Sequence, residues 1–261
     1  MKRPNRFETK RLGRGIYFLP NLFTSLNLFC GFYAVIASIN GRFVAAAISI
    51  VVAGVFDSLD GKIARATNTT SAFGVEYDSL ADLISFGLAP GIMVYLWSLR
   101  PLGRLGWLAA FLFVACGALR LARFNTQAGK VNSNFFVGLP IPAAAGMCAA
   151  TVLVCFKLGI AAKINPIIVL LMVYALSFLM VSSIQYNSFK KPELFKKMNF
   201  NVLVASILVM IFIAAQPSIA LFMGGVVYVL SGPVTAIRYH RAGSDRDSGV
   251  LDSEEQNSSP I

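Results

Sequence analysis

The chain has 261 residues, of which 56% are hydrophobic and 13% charged, with a net charge of +11 and a mean hydropathy of +0.68. Soluble domains carry about 25% charged residues, so a soluble globular protein is excluded. Apolar runs of about eighteen residues or more recur along nearly the whole length and read as a polytopic, all-α integral membrane protein. The only histidine, His240, lies in a polar tail, which excludes Ser-His-Asp catalysis, histidine zinc centres and histidine proton relays.

In chain order, residues 1–15 form a basic segment with Lys2, Arg3, Arg6, Lys10, Arg11 and Arg14 just ahead of an apolar run. Anionic headgroups would meet these charges there, so the positive balance is assigned to membrane lipids and not to nucleic acid. The following run is long and lacks an A-x-A-like cleavage site, and reads as a retained first helix. Eight spans are expected, at 16–38, 43–66, 77–98, 105–127, 138–160, 164–184, 200–216 and 218–238. The first six (16–184) are read as a core, 185–199 as a basic cytoplasmic loop and 200–238 as two appended helices. Residues 239–261, rich in Ser, Asp and Glu, read as a disordered tail. With the N-terminus inside, eighteen Lys and Arg fall on the inner side and five (Arg42, Arg100, Arg104, Lys157, Lys163) on the outer. The positive-inside rule then places both termini in the cytoplasm, at the cell (inner) membrane. Cys30, Cys116, Cys148 and Cys155 sit inside apolar runs without C-x-x-C pairing, as small buried hydrophobes do.

Negative charge is concentrated in DSLDGKIARATNTTSAFGVEYDSLAD, residues 57–82, which holds five of the twelve carboxylates. On a helix, Asp57, Gly61 and Ala64 project to one side with Asp60 about 60° away, and Asp78 and Asp82, four apart, stack on one face. A short turn around Thr67–Ala72 would bring the two faces together beside a strip without side-chain bulk. An aspartate at the middle of a membrane helix costs roughly 2.5–3.5 kcal/mol, and Lys62 and Arg65 cannot neutralise four. Divalent cations with a taste for hard oxygen, Mg²⁺ or Mn²⁺, can. Two such ions sharing carboxylates suit phosphoryl transfer. Solvated charges at a helix end, or a transporter's cation or proton path, are the competing readings; the transporter does not account for Gly61 and Ala64.

The pattern D-x-x-D-G-x-x-A-R-x8-G-x3-D-x3-D, supplied by Asp57, Asp60, Gly61, Ala64, Arg65, Gly74, Asp78 and Asp82, resembles the signature of the CDP-alcohol phosphatidyltransferases. That resemblance implies that the core 16–184 is catalytic, that Asp57, Asp60 and Asp78 bind two divalent metals, and that Asp82 completes the metal site and acts as base. It further implies that Gly61, Ala64 and Gly74 accommodate the cytidine nucleotide and that Arg65 contacts its phosphates. PNLFTSLNLFCGF (20–32), SLADLISFGLAPG (79–91), RLARFN (120–125), FFVGLPIPAAAG (135–146) and YNSFKK (186–191) resemble the phosphatidylserine synthase branch. The implied substrates are CDP-diacylglycerol and L-serine, with phosphatidylserine and CMP as products, in a homodimer whose site faces the cytoplasm. Glycerol 3-phosphate and inositol phosphate are alternative acceptors.

Outside the signature, Arg120 and Arg123 are candidates for the serine carboxylate, against ordinary positive-inside charge. Asn21 and Thr24, on one face of the first helix, are candidates for the nucleotide, against interhelical hydrogen bonding. Ser85 and Pro90 are placed near the acceptor pocket, and Lys190 and Lys191 near headgroups. Pro20, Pro90, Pro140 and Pro142 read chiefly as helix kinks and ends.

Overall fold

A computed structural model of the chain describes residues 18–67, 71–127, 135–187, 210 and 213–235. Helix α1 (Phe18–Ile39) folds back on α2 (Phe43–Ala66) through the Asn-Gly-Arg break. Gly41 takes φ +71 there, a left-handed conformation that a side chain would strain. Arg42 N–H then donates to the Ala37 carbonyl at 2.8 Å and closes the helix end. The facing surfaces carry Ala34 and Ala37 on α1 and Ala46, Ala47 and Ala53 on α2, all fully buried. Small residues let two backbones approach closely where no water drives them together.

Helix α3 (Ala72–Leu102) begins five residues before the expected span. Ser71 is the reason: its Oγ accepts the Gly74 N–H at 3.0 Å and caps the first turn. The helix is not uniform. It is α-helical over Ala72–Asp82, widens to a π turn over Leu83–Leu88, returns to α over Ala89–Val94, widens again over Tyr95–Leu99 and tightens at Arg100–Leu102. The first widening precedes Pro90, whose ring crowds the preceding turn of an α-helix. There the Ala89 N–H bonds the Ile84 carbonyl, five residues back.

Gly103 (φ +56) turns the chain into α4 (Arg104–Gln127). Two shorter helices follow, α5 (Ile141–Lys157) and α6 (Pro166–Val181). The Asn165 Oδ1 accepts the Ile167 N–H at 3.0 Å and caps α6. Helix α5 is the most enclosed, with Ala144, Ala145, Cys148, Ala149, Ala150 and Val152 among its buried residues. Phe86, Met93, Phe113, Leu139 and Ile141 fill the remaining centre. A last helix, α7 (Pro217–Thr235), rests on this core through Phe222, Val226, Tyr228 and Val229.

The protein is thus a polytopic all-α membrane protein. Helices α1, α2, α3, α4 and α7 are long and apolar enough to cross a bilayer, and α5 and α6 are shorter apolar helices. A two-stranded antiparallel ribbon, β1 (Phe135–Val137) with β2 (Gln185–Asn187), adds a clasp that periodicity does not announce. It joins the approach to α5 to the exit from α6, and Gly138 N–H extends it to the Ile184 carbonyl at 2.8 Å. Cys116, Cys148 and Cys155 are buried and Cys30 is partly so. The basic segment 1–15, residues 200–209, 211 and 212 of the expected span 200–216, Lys190, Lys191 and the tail 239–261 lie outside the described residues.

Candidate active site

Three helices converge where α2 ends and α3 begins. Asp57 and Asp60 occupy the last turns of α2, Asp78 and Asp82 the end of the first α-helical stretch of α3, and α1 lays Asn21, Thr24 and Asn27 across both. One carboxylate oxygen from each of Asp57, Asp60 and Asp78 lies within 4.8 Å of the other two. Asp60 is buried, and Asp57 and Asp78 are half-buried. Thr24 Oγ1 stands 3.0 Å from Asp60 Oδ2 and 3.1 Å from the Pro20 carbonyl, so its one proton can serve either oxygen.

Asp82 stands apart from this trio. It is 8% exposed, and its Oδ1 accepts a 3.0 Å hydrogen bond from the side-chain amide of Asn27. It remains within electrostatic reach of Asp57, Asp60 and Asp78. The four acids expected to converge therefore resolve into three that meet and one neighbour held separately.

The trio fits a hard divalent cation. Its donors are all carboxylate oxygens, and the buried Asp78 Oδ1 has no hydrogen-bond partner among the described residues. An unsatisfied buried acceptor costs about 1–3 kcal/mol, more when charged, and three carboxylates this close repel one another. A bound cation relieves both penalties at once.

Beside the trio is a cavity of about 170 Å³, lined by Asn21, Thr24, Asp60, Gly61, Ala64, Gly74 and Asp78 among others. A side chain at Gly74 would place its Cβ 3.1 Å from Ser71 Oγ and 3.6 Å from Asn21 Oδ1, narrowing the mouth and crowding the helix cap. The structure thus gathers Asn21, Thr24, Gly61, Ala64 and Gly74 on one cavity. The Arg65 side chain lies outside the described residues.

The acceptor-side candidates are placed differently. Ser85 is fully buried and is not on the cavity; its hydroxyl donates to the Asn27 carbonyl at 2.9 Å. Arg120 on α4 keeps its Nε buried and without a hydrogen-bond partner among the described residues. It lies within electrostatic reach of Asp82 and of Tyr228 on α7. Arg123 is half-buried one turn further along α4. Asn125 Nδ2 donates to Ser79 Oγ at 3.0 Å and ties α4 to α3 beside the aspartates.

Asn27 and Tyr228 were not singled out from the sequence. For Asn27 a signal was present: Asn21, Thr24 and Asn27 recur every three residues in an otherwise apolar helix, and a polar residue in a membrane helix seeks a partner. Nothing comparable marks Tyr228, since an aromatic in an apolar span is ordinary.

A family model of the CDP-alcohol phosphatidyltransferases matches residues 17–181. The CDP-diacylglycerol–serine O-phosphatidyltransferase of Helicobacter pylori is 38% identical over 217 residues, covering 83% of this chain and 90% of its own. The enzyme of the same name from Bacillus subtilis is 38% identical over 175 residues, covering 67% and 92%. Archaetidylserine synthase of Methanothermobacter thermautotrophicus is 39% identical over 170 residues, covering 64% and 69%. The matched region takes in α1 to α6, the carboxylate trio, Asp82 and the cavity, and with it the chain belongs to the CDP-alcohol phosphatidyltransferase family.

Proposed function

We propose that this protein is an enzyme that transfers the phosphatidyl group of CDP-diacylglycerol to the hydroxyl of L-serine, giving phosphatidylserine and CMP. The observation that carries the reading is the trio of carboxylates within 4.8 Å of one another at the foot of apolar helices, in a chain 38% identical to relatives named for that transfer. Serine and the nucleotide are water-soluble while the acyl chains stay in the leaflet, so the site belongs at a membrane boundary. The excess of Lys and Arg on one side supports the cytoplasmic face of the inner membrane, with both termini there. A homodimer is part of the same reading.

Asp57, Asp60 and Asp78, completed by Asp82, would hold two divalent cations, Mg²⁺ or Mn²⁺. When bound, these supply positive charge against the pyrophosphate and against the attacking and leaving oxygens of the displacement. Asn21, Thr24, Gly61, Ala64 and Gly74 seat the cytidine nucleotide, and Arg65 meets its phosphates. Arg120, with Arg123 a turn away, pairs the serine carboxylate in the bidentate manner a guanidinium allows. Arg120's nearness to Asp82 brings the serine hydroxyl to a base. Asp82 accepts that proton as the new O–P bond forms. The bond between the lipid-bearing phosphorus and the CMP oxygen breaks, and CMP leaves with the electron pair. A carboxylate is a weak base for an alcohol in water, but a positioned one need only take the proton in the transition state.

The test is to give purified protein CDP-diacylglycerol in mixed micelles with labelled serine, glycerol 3-phosphate or inositol phosphate. Label should enter lipid with serine, matched one for one by CMP. Exhaustive chelation should stop turnover, and Mg²⁺ or Mn²⁺ should restore it. Lipid labelled from glycerol 3-phosphate instead would overturn the acceptor, and full activity after chelation would overturn the cations.

A further inference from the structure

We propose that Asn27 is a positioning residue for this reaction, its side-chain amide fixing the orientation in which Asp82 takes up the acceptor's hydroxyl proton. The inference rests on the reading of Asp82 as base. Asn27 is completely buried, and its Nδ2 donates to Asp82 Oδ1 at 3.0 Å. An ionised carboxylate can only accept hydrogen bonds, so the N–H side of the amide must face it. With Oδ1 engaged, the other oxygen of Asp82 is the one open to a cation and to the incoming hydroxyl.

The amide is not there for packing. Asn27 Oδ1 is buried and has no hydrogen-bond partner among the described residues. An apolar pair of matching shape in place of Asn27 and Asp82 would leave neither an unpaired carbonyl nor a buried acid, so on stability alone this pair is the poorer choice. A residue that is costly to the fold and directed at a reacting group is the signature of a site held at the expense of stability.

The frame around the contact is rigid. Ser85, three residues beyond Asp82, donates from its hydroxyl to the Asn27 backbone carbonyl at 2.9 Å. Helices α1 and α3 are therefore linked twice at this point, side chain to side chain at Asp82 and side chain to backbone at Asn27. They also pack without slack: a Cβ on Gly31 would stand 2.6 Å from the Ser85 Cα. The turn that carries Ser85 is the first π stretch of α3, starting at Leu83 immediately after Asp82. Such turns recur at functional sites because they redirect side chains relative to the preceding helix. Here the widened turn carries Ser85 to the α1 backbone.

The experiment compares wild type, Asn27→Leu and Asn27→Ala, all purified as the full chain in CDP-diacylglycerol micelles. Turnover is followed as CMP release with serine, glycerol 3-phosphate and inositol phosphate in parallel. A wrong acceptor then shows in the wild type itself, and the variants are compared on whichever acceptor the wild type uses. Asn27→Leu should lower kcat about 30- to 100-fold, in the range of a disturbed proton transfer. KM for both substrates should stay within about threefold, because binding groups are untouched. Its melting temperature should fall by no more than about 5 °C, the effect of one lost buried hydrogen bond. A kcat within about threefold of wild type would overturn the proposal. So would a loss of kcat that tracks lost CDP-lipid binding and a melting temperature lowered further than that, or a failure of both variants to fold, since either would make Asn27 a structural residue only.

Discussion

The proposed nucleotide side and the proposed acceptor side of this site are built in opposite ways. The proposed nucleotide side is local: Asp57, Asp60, Gly61, Ala64, Gly74 and Asp78 come from one stretch of sequence, and among the described residues only Pro20, Asn21 and Thr24, all on α1, reach it from elsewhere. The acceptor side is assembled across the fold, with Asp82 on α3, Asn27 on α1, Arg120 on α4 and Tyr228 on α7. A carboxylate trio of this kind can sit on a single helical hairpin. The choice of acceptor can then be changed by substituting helices around it, without disturbing the metal trio.

If that division holds, substitutions on the two sides should fail differently. The largest effect belongs to the trio. Asp78→Asn should reduce turnover by about 10⁴-fold or more and abolish metal-dependent binding of CDP-lipid, because a ligand and its charge go together. Asp82→Asn should lose about 10³-fold in turnover while CDP-lipid binding largely survives. Equal loss of binding in the two variants would erase the distinction between them.

Next in size, Arg120→Gln should raise KM for serine about 10- to 100-fold and leave KM for CDP-diacylglycerol within about twofold. An effect confined to the lipid substrate would move Arg120 to the other side of the site. Gly31→Ala should act on the fold instead. Its new methyl meets the Ser85 backbone at 2.6 Å, and overpacking of this kind costs about 1–3 kcal/mol, read as a lower melting temperature. The smallest effect is expected from Gly74→Ala. Its Cβ would stand 3.1 Å from the Ser71 hydroxyl, and KM for CDP-lipid should rise about threefold to tenfold with KM for serine unchanged.

Much of this architecture is legible in the linear chain, for reasons that differ by element. Helices α1, α2 and α4 fall within a few residues of the expected spans because burial in lipid demands long uninterrupted apolar runs. The start of α3 departs from expectation because a cap, not hydropathy, decides it: Ser71 begins the helix in a polar stretch. Its π turns and the ribbon between β1 and β2 depend on how helices meet, and no period in the sequence encodes that. Within the site, the aspartate spacing points to a shared face. It does not reveal that Asp82 is held apart by Asn27, or that Ser85 braces α1 instead of lining the cavity.

The amino-acid order alone settles that the chain lives in a membrane, that four aspartates gather within residues 57–82, and that glycine and alanine stand among them. Those are read from hydropathy and spacing, which are local to a stretch of chain. Which acids meet, which one is set beside them, and which distant arginine comes within electrostatic reach of it follow from the crossing of α1 over α2 and α3 and from the docking of α4. A contact between residues as far apart as Asn27 and Asp82 exists only once side chains have packed into one core.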